Sequence, residues 1–148
     1  MNISEELIRS VVEKVLAEAT ATSASCGGCG FEKHVDPSGV LSVKTSTVEL
    51  EPFEGRSDVK LKDVATLEEA PRMGCGIMEL SNGADFEWTL TYDEWDIVLE
   101  GTLEIIIDGR TVSGCAGDVI YIPKGSHIHF HTPDYTKYAY TVFPADWQ

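Results

Sequence analysis

Residues 86–133, FEWTLTYDEWDIVLEGTLEIIIDGRTVSGCAGDVIYIPKGSHIHFHTP, decide how this chain folds. The runs FEWTLTYDEWDIVLE, TLEIII, RTV, DVIYI and HIHFH are rich in β-branched and aromatic residues. Turn chemistry divides them at Gly101, Asp108-Gly109, Ala116-Gly117-Asp118 and Pro123-Lys124-Gly125. Short strands punctuated this often indicate a sandwich or closed barrel, not strands alternating with helices. Asp108-Gly109 between LEIII and RTV is a two-residue hairpin turn, because both residues tolerate positive φ.

The flanking sequence continues the pattern. VLSVKTSTVELEPF (40–53), GCGIMEL (74–80) and YAYTVF (138–143) are of β type, with a turn at Ser81-Asn82-Gly83. The only helical suggestion is a short acidic stretch at Leu67 to Glu69, before Pro71. Residues 39–148 therefore read as one all-β domain, a size that a single core fills.

Two different segments precede it. In residues 1–19, Ile3, Leu7, Val11 and Val15 recur every fourth position, widened by Ile8, Val12 and Leu16, which predicts an amphipathic helix. Asn2 or Ser4 caps its first turn, and Glu5 and Glu6 sit where the helix dipole favours negative charge. Its apolar face needs a partner: its own barrel, a second subunit, or the groove of a foreign protein. Residues 20–38 begin TATSASCGGCGFEK, a linker with no hydrophobic period. Cys26 and Cys29 there form a CxxC pair with His34 nearby. They would supply two of four zinc ligands or a redox dithiol, but no second CxxC follows, and a plain tether explains the segment as well.

Charge narrows the partners. The chain has 25 acidic and 11 basic residues, a net charge of -14, so a phosphate backbone or an anionic membrane repels it and neither nucleic acid nor membrane is expected as a partner. It has no apolar run of about 18 residues and no secretory signal. A cytoplasmic protein is the expectation, with its four cysteines held as thiols.

Two glycine frames in this region resemble the cupin motifs. Gly83 precedes Glu94, and six residues separate Glu94 from Gly101; Gly117 is followed by DVIYI and then Pro123-Lys124-Gly125. The resemblance implies a jelly-roll β-barrel of the cupin type. Cupin motifs carry metal-binding histidines, and here those positions fall on Trp88, Leu90 and Ile128, leaving Glu94 alone. One carboxylate among such side chains does not hold a transition metal, so no tightly bound one is expected. A one-residue slip would instead bring His127 and His129 inward; otherwise His127, His129 and His131 form an outward polar face. If even positions face in, the pocket is lined by Trp88, Leu90, Tyr92 and Glu94, with Ile128 opposite and Glu87, Asp93, Asp96 and Glu100 nearby. A carboxyl group there is desolvated and suits acid–base work or binding of a cation or hydroxyl donor. A structural Glu94–Tyr92 hydrogen bond is the plainer reading.

FEWTLTYDEWDIVLEG, AGDVIYIPKGSHIHFHTP and the ending YTVFPADWQ together resemble the ethanolamine-utilization EutQ family, cupins without the metal histidines. The resemblance implies a role in bacterial ethanolamine catabolism inside a protein-shelled microcompartment, and acetate kinase activity, which converts acetyl phosphate and ADP to acetate and ATP. It implies Mg²⁺ and ATP as cofactors, Tyr92, Asp93, Glu94 and Glu100 as catalytic residues, and Lys124 and Ser126 as phosphate contacts. SEELIRSVVEKVLAEA likewise resembles the helices that direct enzymes into such shells, which favours a foreign partner for the helix. A non-catalytic ligand-binding or assembly cupin is the rival. No GxxxxGK[ST] loop is present to suggest a kinase independently. Strand edges on such a barrel suit pairing into a homodimer.

Overall fold

Residues with positive φ bend the chain where turn chemistry predicts it. Asn82 and Gly83 (φ 57° and 70°) turn the chain between two strands that do not pair with each other, and Asp108 and Gly109 (φ 50° and 72°) form a tight hairpin turn. Glu54-Gly55, not anticipated, does the same. The computed structural model describes residues 30–147.

Two units divide the chain between Thr47 and Val48. The described part of the first is a hairpin of β1 (Lys33–Val35) and β2 (Leu41–Val43), followed by a 3-10 turn at Thr45–Thr47. Asp36 Oδ1 closes the hairpin by accepting from Ser38 N at 2.8 Å. The described part of the expected linker is thus not a bare tether, since β1 lies inside it, and the barrel unit starts at Val48 instead of residue 39. The expected helix with Ile3, Leu7, Val11 and Val15, and the Cys26–Cys29 pair, lie outside the described residues.

The second unit comprises β3 (Glu51–Phe53), β4 (Arg56–Asp63), β5 (Gly74–Ser81), β6 (Asp85–Thr89), β7 (Asp93–Ile107), β8 (Arg110–Cys115), β9 (Val119–Ile122), β10 (His127–His131) and β11 (Tyr135–Phe143). It contains no α-helix among the described residues. Leu67 to Glu69 is one turn, closed by Glu69 Oε2 accepting from Thr66 N at 2.8 Å. The strands run β3-β4-β5-β11-β7-β10-β6, with β8 and β9 also on β7.

β7 is what curls this sheet. Its first half pairs with β9 and β11, its second with β8 and β10. Between them, Lys137 and Tyr138 of β11 oppose Glu100 and Val98, so Leu99 is an extra, bulged residue. Glu94, Asp96 and Val98 face inward before the bulge, and Leu103 and Ile105 after it. An added residue reverses the alternation and bends the strand, so one strand serves both halves of the barrel with its apolar side always inward.

The core is Val59, Leu80, Leu90, Val98, Leu103, Ile128, Tyr138 and Val142, with their buried neighbours. On the outer side, Trp95, Ile97 and Leu99 of β7 stand exposed beside Val119 and Tyr121 of β9 and Phe143 of β11. The Trp95 and Tyr121 rings lie 4.9 Å apart there.

Candidate active site

Strand alternation carries Trp88, Tyr92, Glu94 and Asp96 to the inside. Residues from both ends of the barrel unit complete a pocket around the first three. Its lining is Phe53, Leu61, Met78, Phe86, Trp88, Tyr92, Glu94, Phe130, Tyr140, Val142 and Trp147. Trp147 packs against four other rings: Phe53 at 6.4 Å, Trp88 at 6.5 Å, Tyr92 at 6.1 Å and Tyr140 at 6.2 Å. Three of these meet it nearly edge to face, so the rings form walls set across one another.

Glu94 is the only charged residue in that lining. Its side chain is 4% exposed, and burial pushes its pKa up to about 7, against contacts with Asp96 and Tyr92 that hold it down. Asp96, two residues along β7, is fully buried. Burial, and then the Glu94 charge, push its carboxyl well above the usual range. No donor reaches either Asp96 oxygen from another group. Two buried carboxyl groups in contact satisfy each other by sharing a proton, so the pair carries at least one at neutral pH. The Tyr92 hydroxyl accepts from Trp88 Nε1 at 2.8 Å and interacts with Glu94; burial, then the Glu94 charge, keep it firmly protonated. Behind these, Tyr140 donates to Asp63 Oδ1 at 2.7 Å and Tyr138 donates to Met78 Sδ at 2.9 Å.

The structure separates the other residues singled out from sequence. Asp93 projects outward, accepting from Tyr121 Oη at 2.8 Å and Lys124 N at 2.9 Å, and these bonds keep its carboxyl below the usual range. Glu100 is exposed beside the bulge. Tyr92 and Glu94 therefore share the pocket, whereas Asp93 and Glu100 lie outside it: successive strand residues alternate, and the bulge ends the inward run. Of the expected wall, Trp88 lines the pocket. Leu90 and Ile128 are packed in the core, and Glu87 is exposed, 2.6 Å from His127 Nε2. Lys124 is exposed in its turn and Ser126 Oγ donates to the Pro123 carbonyl at 2.7 Å, so neither lines the pocket.

The register also settles the histidines. Ile128 opposes Trp88 and faces inward, and the neighbouring histidines meet outer carboxylates, His129 with Asp85 at 2.7 Å and His131 with Glu104 at 2.8 Å. The row is the outward polar face, and the slip does not occur. Among the described residues no three His, Cys, Asp or Glu side chains converge as a metal-ligand group, and no helix is long and apolar enough to cross a membrane.

Sequence reasoning left Asp96 out of the site, although the inward parity from Trp88 to Glu94 reaches it in one further step. Phe53, Leu61, Met78, Tyr140 and Trp147 carried no local signal, since long-range pairing brings them in.

Comparison with known proteins places this geometry. Residues 3–148 match the family described as ethanolamine utilisation protein EutQ. A Clostridioides difficile protein named acetate kinase EutQ is 45% identical, over 99% of this chain and 95% of its own length. A Salmonella typhimurium protein of the same name is 38% identical over 98% of this chain; the chain spans 64% of that longer relative. The solved structure of the Clostridium difficile EutQ protein superposes with a TM-score of 0.76 at 48% identity, over 81% of this chain and 99% of that one. A Schizosaccharomyces pombe cupin domain, 17% identical, shares the fold with a TM-score of 0.58, over 70% of this chain and 73% of that one. This chain, an all-β sheet curled like a cupin with the cupin glycine frames and no cupin histidines, belongs to the ethanolamine utilisation protein EutQ family.

Proposed function

We propose that this chain interconverts acetyl phosphate and ADP with acetate and ATP, and that Glu94 is the group meeting the acetyl end of the substrate. The observation that carries the reaction is the name acetate kinase borne by relatives 45% and 38% identical across nearly the whole chain. The pocket supports the location. Apolar walls from Leu61, Met78 and Val142 suit a methyl group, and Glu94, protonated through much of the neutral range, is a hydrogen-bond donor among them. An oxygen of the terminal ADP phosphate attacks phosphorus, the phosphorus–oxygen bond to acetate breaks, and acetate leaves with the electron pair. Glu94 steadies the charge on the departing oxygen by donating its proton in a hydrogen bond. Mg²⁺ takes most of its octahedral shell from waters and phosphate oxygens, so in this reading the ion arrives with the nucleotide as Mg·ADP.

Glu94→Ala removes this donor, and ATP formation in a coupled assay should fall by about 10² or more. Wild-type activity should decline as pH rises through about 7, and Glu94→Gln, which keeps a neutral donor, should retain part of the activity and lose that decline. Unchanged activity in Glu94→Ala would overturn the site.

One observation favours a second reading, a non-catalytic small-ligand cupin: among the described residues no Lys, Arg or His lines the pocket to meet a phosphate. In either case we propose that the protein works in a bacterial microcompartment. The stripe Ile3, Leu7, Val11 and Val15 engages a shell or enzyme protein, and the exposed face around Trp95 joins two copies into a homodimer.

A further inference from the structure

We propose that Trp147, on the segment that follows β11, is a lid: its indole closes the pocket and swings out to let a ligand reach Glu94. The inference rests on the walls of the pocket and how each is held, not on the reaction proposed above.

The room beside Glu94 is small. The cavity measures about 30 Å³, which holds about two waters and does not admit an organic ligand as large as acetyl phosphate. Trp147 is where the surrounding rings meet. Its indole lies 6.1 Å from the Tyr92 ring, 6.2 Å from Tyr140 and 6.5 Å from Trp88, each nearly edge to face, and 6.4 Å from Phe53. Rings packed in this way touch one another and leave no slot between them for a guest. A ligand enters by displacing one of them.

Of these walls, Trp147 is the one free to move. Phe53, Trp88 and Tyr140 stand on strands, and Tyr92, though between strands, is buried with its hydroxyl held by Trp88 Nε1. Residues 144–147 form no strand, and among the described residues no backbone hydrogen bond holds them. Trp147 is half-buried and gripped ring to ring. A segment held by side-chain contacts without backbone bonds opens at far lower cost than global unfolding. Ala145 marks its fixed end. A Cβ added to Gly74 of β5 would stand 3.4 Å from the buried Ala145 carbonyl, 3.7 Å from Trp147 Cδ1 and 2.7 Å from Val142 Cγ2, so a side chain there would crowd the segment's seat. Asp146, between the anchored Ala145 and the indole, is exposed and absorbs the rotation.

Opening changes the chemistry of the pocket as well as its size. With the lid closed, burial raises the Glu94 carboxyl; with the indole out, water reaches it and the carboxyl falls toward its ordinary range. Closure over a ligand expels water and favours the protonated form of Glu94, which couples the lid to whatever that carboxyl does there.

The test places a thiol behind the lid. Val142→Cys, at a wall position only 1% exposed, is treated in the full chain with methyl methanethiosulfonate, and mass spectrometry of the peptides separates the new thiol from the native ones. Slow labelling is expected, at a rate that low urea leaves unchanged, because opening the lid exposes little surface. Adding Trp147→Ala should speed labelling by about ten-fold or more, still without dependence on low urea, whereas Trp95→Ala on the outer face should leave the rate alone. Should circular dichroism show Val142→Cys to be misfolded, Met78→Cys, also buried in the lining, is read in the same way. A rate changed by less than about two-fold in Trp147→Ala, or labelling that climbs with urea as global unfolding does, would overturn the lid. ATP formation is read separately. Labelling as expected without ATP formation upholds the lid and sinks the kinase reading, and ATP formation with labelling indifferent to Trp147 does the reverse.

Discussion

Asp96 has no donor from outside its pair and no exposure, and it sits on the same side of β7 as Glu94. The groups facing the two, Tyr92, Tyr138 and Tyr140, are phenols held protonated by burial, so no cation offsets the second negative charge. Both folded-state pKa values are raised above those of the unfolded chain, where ordinary carboxyl values near 4 apply. The folded protein therefore binds more protons than the unfolded one between pH 4.5 and 7, and stability falls as pH rises through that window. Melting temperature should accordingly be higher at pH 5.5 than at pH 8, and Asp96→Asn, which keeps the shape without the charge, should flatten that slope and raise the midpoint at pH 8 by several degrees. A midpoint rising from pH 5.5 to 8 in wild type would show the pair to be ionised and stabilised by something else.

The behaviour of β7 depends on its bulge. Gly101 closes the bulge at φ 71°, and a methyl group there would overlap the Tyr135 carbonyl at the start of β11. Gly101→Ala combines left-handed strain with backbone overlap, and should cost about 2–3 kcal/mol in denaturant unfolding. A cost under about 0.5 kcal/mol would mean that β7 need not bend there. The glycine was visible in the sequence as part of a cupin frame, but its work was not. Only with Lys137 and Tyr138 opposite does Leu99 prove to be one residue too many. β10 shows the opposite case. Its row of alternating histidines is legible as an outward face, because Ile128 and Phe130 between them are the apolar set that a buried face requires.

Taken as a whole, the barrel unit leaves one outer face unusually apolar. Trp95 is 51% exposed and Tyr121 47%, with Ile97, Val119 and Phe143 around them, on a chain whose net charge of -14 otherwise keeps copies apart. If two copies join through this face, Trp95→Glu places a charge at its centre, and the species seen by light scattering should shift from dimer to monomer without change in the far-ultraviolet spectrum. A wild-type monomer, or a dimer unmoved by Trp95→Glu, assigns the face to something else. Trp95 points away from the pocket, so ligand binding is expected to survive the change.

Sequence by itself determined what depends on neighbours along the chain: the strands and their turns, the inward parity of Trp88, Tyr92 and Glu94, and the replacement of the cupin histidines by Trp88, Leu90 and Ile128. These follow from φ preferences and a two-residue repeat, which act over a few bonds. The tertiary structure decided which acids meet. Asp93, between two pocket residues in sequence, and Glu100, further along the same strand, turn outward. Phe53 and Trp147, from the two ends of the barrel unit, pack against each other in the pocket wall, and Asp96 meets Glu94 behind the lining. Cross-strand register and the bulge at Leu99 set these relations, and both arise from pairings between residues tens of positions apart that no local pattern encodes.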